Sequence, residues 1–273
     1  MSHFHRMFQM QMAAGRHLCV GLDPDELPVC LTGTNYLKTT VWAQDIVRAT
    51  SHIAAAFKPN LGFYLAMGGQ GINALVEICR MIREEAPDTP IILDGKFGDI
   101  GNTCRANATF AFEECHAHAV TVNLYLGREA LAPFLDRGDK GILVVCRTSN
   151  PGAGEFQDLP INQHVLYMHI AAQVTKNWNK HVNCGLVIGA TAPRELAIIR
   201  SMIPNMPILI PGVGRQGGNI TQAVHAVRSQ DTFNFLVNVS SGIGSASKDD
   251  DYAEAAKVAA ESYHHQITEA MKG

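Results

Sequence analysis

The sequence predicts an α/β fold, a single (β/α)₈ TIM barrel with a short N-terminal helix, and three observations lead to this prediction. The length of 273 residues matches the roughly 250 residues of one such barrel. Eight short apolar runs rich in Val, Ile and Leu recur along the chain, and longer segments with helical periodicity separate them. No linker, charge block or low-complexity segment interrupts the pattern, so we expect one domain over residues 1–273.

The predicted elements alternate after a helix within residues 1–15, which we expect to lie outside the barrel. Each apolar run has the length of a buried strand, and the runs cover 19–23, 56–60, 91–96, 120–124, 141–148, 185–190, 208–214 and 235–241. The segments with helical periodicity cover 40–54, 70–86, 102–116, 127–136, 163–181, 193–202, 219–228 and 249–270. An open doubly wound sheet shows the same alternation. The count of eight favours the closed barrel.

Composition limits the classes of function. Hydrophobic residues make up 47% of the chain and charged residues 17%, which predicts a globular core. The net charge of −3 provides no basic field for nucleic acid or an acidic membrane. The opening segment lacks an apolar stretch of signal length, and the internal apolar runs are shorter than a membrane helix. We therefore expect a cytoplasmic protein that binds a small molecule.

The cysteine and histidine patterns predict no metal site. Seven cysteines are scattered without paired spacing, as expected for reduced thiols in a cytosolic core, so we expect neither disulfides nor zinc. His116 and His118 resemble a metal-binding pair, but they precede the fourth strand, at the end of the barrel opposite the mouth. We interpret both as structural.

Polar residues stand where several apolar strands end. They are Asp23, Lys58, Asp94 with Lys96, Ser149 and Gln216. In a barrel these strand ends converge on one mouth, where the active site is built. Asp94 and Lys96 project to the same side of their strand, and Asp99 begins the next loop. A chance charge pair at a solvated strand end is the simpler explanation, but Lys58 on the neighbouring strand favours a functional array of alternating charges.

Two glycine-rich loops predict a phosphorylated substrate. The segment PGVGRQGGN holds Gly212, Gly214 and Gly217 in GxGxxG spacing, which alone would indicate a dinucleotide site. That interpretation is weak, because the motif follows the seventh strand and no acidic residue stands near position 236. Loops after strands 7 and 8 of a barrel commonly bind phosphate through backbone N–H groups, and SSGIGS at 240–245 is the second such loop.

The stretch RTSNPGAGEFQD at 147–158 follows the fifth strand. It is either a long surface loop or a lid that closes over a ligand and excludes water, with Ser149 at its hinge.

These motifs together resemble orotidine 5′-monophosphate decarboxylases, especially the bacterial group that carries FKPN, DxKxxDI and RTSNPGAGEFQDL. The matching segments here are GLDPD at 21–25, FKPN at 57–60, LDGKFGDI at 93–100 and PGVGRQGG at 211–218, and the resemblance spans nearly the entire chain. It implies conversion of orotidine 5′-monophosphate (OMP) to UMP and CO₂, the last step of de novo UMP biosynthesis, without metal or organic cofactor.

The resemblance also implies roles for individual residues. The charged tetrad would be Lys58, Asp94, Lys96 and Asp99, with Lys96 stabilising the carbanion at C6 and then donating its proton. Asp99, Ile100 and Thr103 would reach the neighbouring subunit's site, which implies a homodimer. Asp23 and Lys58 would bind the ribose hydroxyls, and Ser149 the pyrimidine edge. Gln216 would bind the phosphate, with Gly242 in the second phosphate loop.

The chain departs from the family pattern at one position. The family normally has an arginine that grips the phosphate in a VSRGI-like run, whereas this chain has Ser241 in NVSSGIGS. Losing such a charge-assisted hydrogen bond costs roughly 1.5–3 kcal/mol if nothing compensates. Arg215, beside Gln216, either supplies a replacement guanidinium or points to solvent.

Other functions remain open from the residues alone. A sugar-phosphate aldolase or synthase would use the same phosphate loops and Mg²⁺ at Asp94. Schiff-base chemistry at Lys58 or Lys96 needs a neutral amine, which the flanking carboxylates disfavour. The serine at position 241 also fits a catalytically weak nucleotide-binding protein, which would bind ligand without turnover.

Overall fold

Eight parallel strands form a barrel in the computed structural model, which describes residues 2–214, 216–228 and 233–273. The strands are β1 Leu18–Leu22, β2 Ala54–Pro59, β3 Ile92–Phe97, β4 Ala119–Val122, β5 Gly141–Arg147, β6 Cys184–Ile188, β7 Ile208–Ile210 and β8 Phe235–Val239. Consecutive strands pair from β3 to β8, and β1 pairs with both β8 and β2. Isolated bridges from Phe57 to Ile91 and from Asn60 to Asp94 join β2 to β3. The predicted barrel is confirmed.

Helices surround the strands and cover one end of the barrel. They are α1 His3–Ala13, α2 Asn35–Thr50, α3 Leu61–Leu65, α4 Gly68–Glu85, α5 Gly101–Thr109, α6 Gly127–Ala130, α7 Ala132–Leu135, α8 Gly154–Gln157, α9 Leu166–Gln173, α10 Pro193–Met202, α11 Ile220–Val227, α12 Ser241–Gly244 and α13 Tyr252–Lys272. Single π-helical turns extend α5 over Phe110–Glu114 and α9 over Val174–Trp178. Two-residue strands, Pro160–Ile161 and His164–Val165, form a small antiparallel pair between β5 and β6.

Two predicted helices differ from the observed ones for local reasons. Helix α2 begins at residue 35 instead of 40, because the Thr34 hydroxyl accepts a hydrogen bond from the N–H of Leu37 at 3.2 Å and caps the earlier turn. The predicted helix over 127–136 is instead two short turns, α6 and α7. Pro133 stands in the first turn of α7, where its missing N–H breaks no helical bond but prevents continuation from α6.

The barrel interior is filled by a layer of side chains, most of which come from the strands. Its buried cluster consists of Phe4, Phe8, Cys19, Ala55, Ala56, Ile92, Ala119, Leu143, Val187, Leu209 and Leu236. Several of the strand residues are small, and aromatic rings from α1 fill the space that they leave. A Cβ added at Gly141 would overlap the Phe4 ring. Helix α1 therefore acts as a plug at the amino-terminal end of the barrel.

Replacing Phe8 by alanine is expected to destabilise the fold by about 3–5 kcal/mol, because the ring is 1% exposed and its removal leaves a cavity inside the barrel. Met10→Ala is the matched control on the same helix, since Met10 is 57% exposed, and its effect should stay within about 0.5 kcal/mol. Denaturant midpoints measure both variants. Equal midpoints for the two variants would show that α1 does not plug the barrel.

Two further features concern the apolar character of the helices and the state of the thiols. In the described ranges no helix combines the length and the apolar character needed to cross a membrane. The seven cysteines are all free, and only Cys30 among them is partly exposed.

Candidate active site

A cavity of about 490 Å³ opens at the carboxyl ends of the strands. Seven of the residues predicted from the sequence line it: Asp23, Lys58, Asp94, Lys96, Ser149, Gln216 and Ser241. Their sequence positions span more than two hundred residues. The convergence of parallel strand ends at one mouth brings them together.

Strand alternation explains why charged groups face this cavity. Side chains two residues apart project to the same side of a strand, so several residues of the interior layer are followed, two positions later, by a residue that lines the cavity. Ile92 is followed by Asp94, Ala56 by Lys58, and Ala119 by Thr121. The apolar layer thus forms the floor of the cavity.

A linear array of three charges crosses the cavity. Lys58 Nζ lies 2.9 Å from Asp94 Oδ2, and Lys96 Nζ lies 2.8 Å from Asp94 Oδ1. The Lys58 side chain is 3% exposed, whereas the Lys96 side chain is 50% exposed. Lys58 and Asp94 therefore form the buried base of the array, and Lys96 is the charge that a ligand in the cavity can reach.

Mutual attraction keeps the buried pair ionised. Burial lowers the pKa of the Lys58 ammonium, but the charges of Asp94 and Asp23 outweigh burial, so the net shift of this pKa is upward. Burial likewise raises the pKa of the Asp94 carboxyl, yet Lys58 and Lys96 hold it well below its usual range. Both groups are charged at neutral pH, as expected where an opposite charge offsets the cost of burial.

Asp23 adds a second carboxylate beside Lys58. It lines the cavity, and its Oδ1 is buried without a hydrogen-bond partner among the residues that the structure describes. Buried polar atoms are nearly always hydrogen-bonded. This oxygen is therefore suited to accept a hydrogen bond from a hydroxyl group of a ligand.

At the opposite side of the cavity the Ser149 hydroxyl donates a hydrogen bond to the side-chain oxygen of Gln216. Gln216 belongs to the GxGxxG loop, in which Gly212, Gly214 and Gly217 all have positive φ, between 80° and 94°. This conformation explains the three glycines, because residues with a Cβ rarely adopt it. Their spacing reflects a tight turn and not a dinucleotide site.

Two backbone N–H groups of this loop form hydrogen bonds within the loop itself. The N–H of Gly217 donates to Gly214 O at 2.8 Å, and the N–H of Gly218 donates to Gly212 O at 3.0 Å. Both N–H groups are used within the loop, and phosphate binding by the other N–H groups of the two loops stays a prediction. Among the described residues, these two loops present the polar side chains of Gln216, Ser240 and Ser241 to the cavity.

The segment over 147–158 is folded back onto β5. Arg147 forms a bidentate pair with Asp158, with both N–O distances 3.0 Å, and the N–H of Thr148 donates to Gln157 Oε1 at 2.7 Å. Thr148, Ser149 and Asn150 line the cavity. The base of the loop is thus anchored beside the mouth, in the place that a lid would need.

Four predicted site residues do not line the cavity of their own chain: Asp99, Ile100, Thr103 and Gly242. The Asp99 carboxylate accepts a hydrogen bond from the N–H of Ile100 at 2.7 Å, and the Ile100 side chain is 61% exposed. A Cβ added at Gly242 would lie 2.5 Å from the Tyr263 hydroxyl, so close packing against α13 requires this glycine. Arg215 lies outside the described residues.

Sequence reasoning missed several polar residues of the cavity: Asp25, Asn60, Thr121, Asn238 and Ser240. The signal that identifies Thr121 and Asn238 is the alternation described above, because both stand two positions after a residue of the interior layer. Asn238 donates to the Ser240 hydroxyl at 3.2 Å. Thr121 was missed because a threonine in a strand is also explained by its high β-propensity.

Neither histidine of the HAH segment approaches the cavity. His118 Nδ1 accepts a hydrogen bond from the N–H of Ile91 at 3.0 Å, and burial lowers the pKa of His118 to about 4. Within the described ranges, no group of three or more His, Cys, Asp or Glu side chains is arranged to hold a metal ion.

Comparison of this sequence with known proteins shows which family it matches. The family described as orotidine 5′-phosphate decarboxylase / HUMPS matches residues 16–258 of this chain. A protein of Janthinobacterium sp. (strain Marseille) named orotidine 5′-phosphate decarboxylase is 42% identical over 242 residues, which are 88% of each chain. Every residue that lines the cavity falls within the matched range.

Solved structures show the same fold. The Leishmania donovani OMP decarboxylase matches with a TM-score of 0.83 and 34% identity, over 98% of this chain and 99% of that one. The Leishmania donovani UMP synthase matches with a TM-score of 0.86 and 35% identity over 98% of this chain. The alignment covers 56% of the UMP synthase, so this chain spans little more than half its length.

Proposed function

The chain belongs to the orotidine 5′-phosphate decarboxylase / HUMPS family and decarboxylates OMP to UMP in pyrimidine biosynthesis, and we propose how its own residues carry out this reaction. The observation that carries the proposal is the array of Lys58, Asp94 and Lys96 in the cavity. Loss of CO₂ breaks a bond to C6 and leaves its electron pair on that carbon. The ring delocalises this charge poorly, so fixed charges must stabilise it.

Lys96 is the catalytic residue of the proposed mechanism. Its ammonium stabilises the carbanion at C6 and then transfers a proton from Nζ to that carbon, which completes UMP. The half-exposed side chain regains a proton from solvent before the next turnover. Asp94 faces the substrate carboxylate and positions Lys96, while Lys58 holds Asp94 ionised.

The remaining contacts hold the nucleotide. Asp23 has a carboxylate oxygen free to accept from a ribose hydroxyl, and Lys58 donates to the same sugar. Ser149 recognises the pyrimidine edge and Gln216 the phosphate, and ligand binding would replace the hydrogen bond between these two side chains. Closure of the anchored loop over 147–158 would exclude water, and phosphate contacts would supply binding energy for that closure.

We propose that the enzyme is a homodimer. Asp99, Ile100 and Thr103 do not line their own cavity, and Ile100 exposes an apolar side chain beside them. An interface at this surface would bury Ile100 and bring Asp99 to the partner's array as its fourth charge. The site of a monomer would then be incomplete. A cytoplasmic location is part of the same proposal and rests on the seven free cysteines.

The proposal requires no metal or organic cofactor, and removal of metal tests it. Enzyme treated with chelator and dialysed is expected to lose OMP absorbance at the rate of untreated enzyme, because Lys96 supplies both the charge and the proton. Activity that disappears on chelation and returns with Mg²⁺ would contradict the mechanism and favour Mg²⁺ at Asp94.

Binding of the substrate phosphate is a separate question, because Ser241 lines the cavity where an arginine was expected. We propose that Arg215 supplies the missing cation. Arg215→Ala is then expected to raise KM about ten- to a hundredfold, the effect of losing one charge-assisted hydrogen bond. Adding Ser241→Arg to that variant should restore most of the loss.

Steady-state kinetics with OMP measure these variants beside Arg194→Ala, an arginine in α10 outside the cavity. An unchanged KM in Arg215→Ala would exclude the compensating role and leave Arg215 as a surface residue.

A further inference from the structure

We propose that Thr121 is a positioning residue for the decarboxylation: its hydroxyl holds the Asp94 carboxylate and the Lys96 backbone together. The inference rests on the catalytic roles proposed above for Lys96 and Asp94. Thr121 lies on β4, lines the cavity and is 1% exposed. Because the Thr121 side chain is buried, its hydroxyl forms its hydrogen bonds with neighbouring protein groups.

An irregularity in β3 explains why the N–H of Lys96 is bonded to the side chain of Thr121. Ile92 and Leu93 pair in register with β4, but the next paired residue is Phe97, so the ladder is interrupted between them. Lys96 lies in this interruption with a φ of +44°, a conformation rarely adopted outside glycine. Bulges of this kind re-aim side chains near active sites. Here Lys96 has no paired residue in β4.

The Thr121 hydroxyl contacts both Lys96 and Asp94. The N–H of Lys96 donates to Thr121 Oγ1 at 2.9 Å, and Thr121 Oγ1 lies 2.7 Å from Asp94 Oδ1. A hydroxyl has one proton. Because Oγ1 accepts from Lys96, its own proton is available for the Asp94 carboxylate, and a hydrogen bond to an ionised acceptor is among the strong ones.

The contacts close into a ring. Asp94 Oδ1, which accepts from Thr121, also accepts from Lys96 Nζ at 2.8 Å. Lys96 is therefore held at its backbone by Thr121 and at its ammonium by the carboxylate that Thr121 orients. The residue in the strained conformation is the proton donor itself, so the ring fixes the position of Nζ relative to C6.

This arrangement predicts a loss of kcat with little change in KM. The contacts assigned to the ribose, pyrimidine and phosphate do not involve Thr121, so ground-state binding should persist without its hydroxyl. Without the hydroxyl, the charge and the proton of Lys96 should no longer be held in place at C6. This loss affects the transition state alone, so it appears in kcat.

The test compares Thr121→Val, which removes the hydroxyl at nearly constant shape, with Thr121→Ser, which keeps it. Thr121→Val is expected to lower kcat about ten- to a hundredfold with KM within about threefold, and Thr121→Ser to stay within about threefold of wild type in both constants. Thr50→Val is the control, since Thr50 is equally buried on α2 and its hydroxyl donates to Ile46 O outside the cavity. Its kcat and KM should not change.

Thr121→Ala serves the same purpose if the valine variant does not fold. A kcat within about twofold of wild type in the variant without the hydroxyl, or an equal loss in Thr121→Ser, would overturn the inference. Lys96→Ala separates this failure from that of the mechanism: an active Lys96→Ala enzyme refutes the proposed role of Lys96, whereas an inactive one beside a fully active Thr121→Val enzyme refutes only the role of Thr121.

Discussion

Lys96→Ala is expected to lower kcat by at least about 10⁴-fold, because in the proposed mechanism the variant loses the proton donor and the charge nearest the reacting carbon. General acid catalysis typically contributes about 10²–10⁴-fold, and a preorganised electrostatic contact about 10²–10³-fold. The fold should persist, since the Lys96 side chain is half exposed and Asp94 keeps its buried partner Lys58. Loss of OMP absorbance in single-turnover experiments measures the residual rate.

Lys96→Arg separates the contribution of proton donation from that of charge stabilisation. Arginine keeps a positive charge but does not release its proton in proteins, so carbanion stabilisation would partly remain while proton transfer to C6 would fail. We expect the arginine variant to turn over faster than the alanine variant but at least about 10²-fold more slowly than wild type, because general acid catalysis is lost. Lys180→Ala, at an exposed lysine outside the cavity, should be fully active. Rapid turnover by Lys96→Arg would assign proton donation to another group.

The sequence and the structure agree best where chemistry depends on strand position. Asp94 and Lys96 could be assigned to one face from their spacing, and Lys58 to the neighbouring strand from the order of the elements. Their meeting with Asp23, Ser149 and Gln216 in one cavity follows from barrel closure, which is a property of the whole pattern of eight strands.

Other features depend on contacts that spacing does not encode. The β3–β4 ladder is interrupted where Lys96 has a positive φ, and a lysine in the sequence does not signal such a conformation. The capture of the Gly217 and Gly218 N–H groups within their own loop is likewise a three-dimensional result. A glycine motif alone cannot distinguish a phosphate cradle from a turn that satisfies its own donors.

A mixture of two inactive chains is expected to be active, because the proposed dimer builds each site from both subunits. Asp99→Asn removes the charge sent to the partner and keeps an acceptor for the N–H of Ile100, and Lys96→Ala removes the proton donor of its own site. In a heterodimer of these variants, one site has lost both groups. The other site combines a native Lys96 with a native Asp99 from the partner.

Co-expression with two different affinity tags allows the heterodimer to be purified, and its activity per dimer should be about half that of wild type, since one of the two equivalent sites of a C₂ dimer is intact. Each homodimer should be at least about 10²-fold slower, because a charge next to the reacting centre is missing. The heterodimer of Lys58→Ala and Lys96→Ala is the matched control: both residues serve their own chain, so neither site is intact. Recovery in the first heterodimer and not in the second requires Asp99 to act across the interface, whereas no recovery in either would assign Asp99 to its own chain.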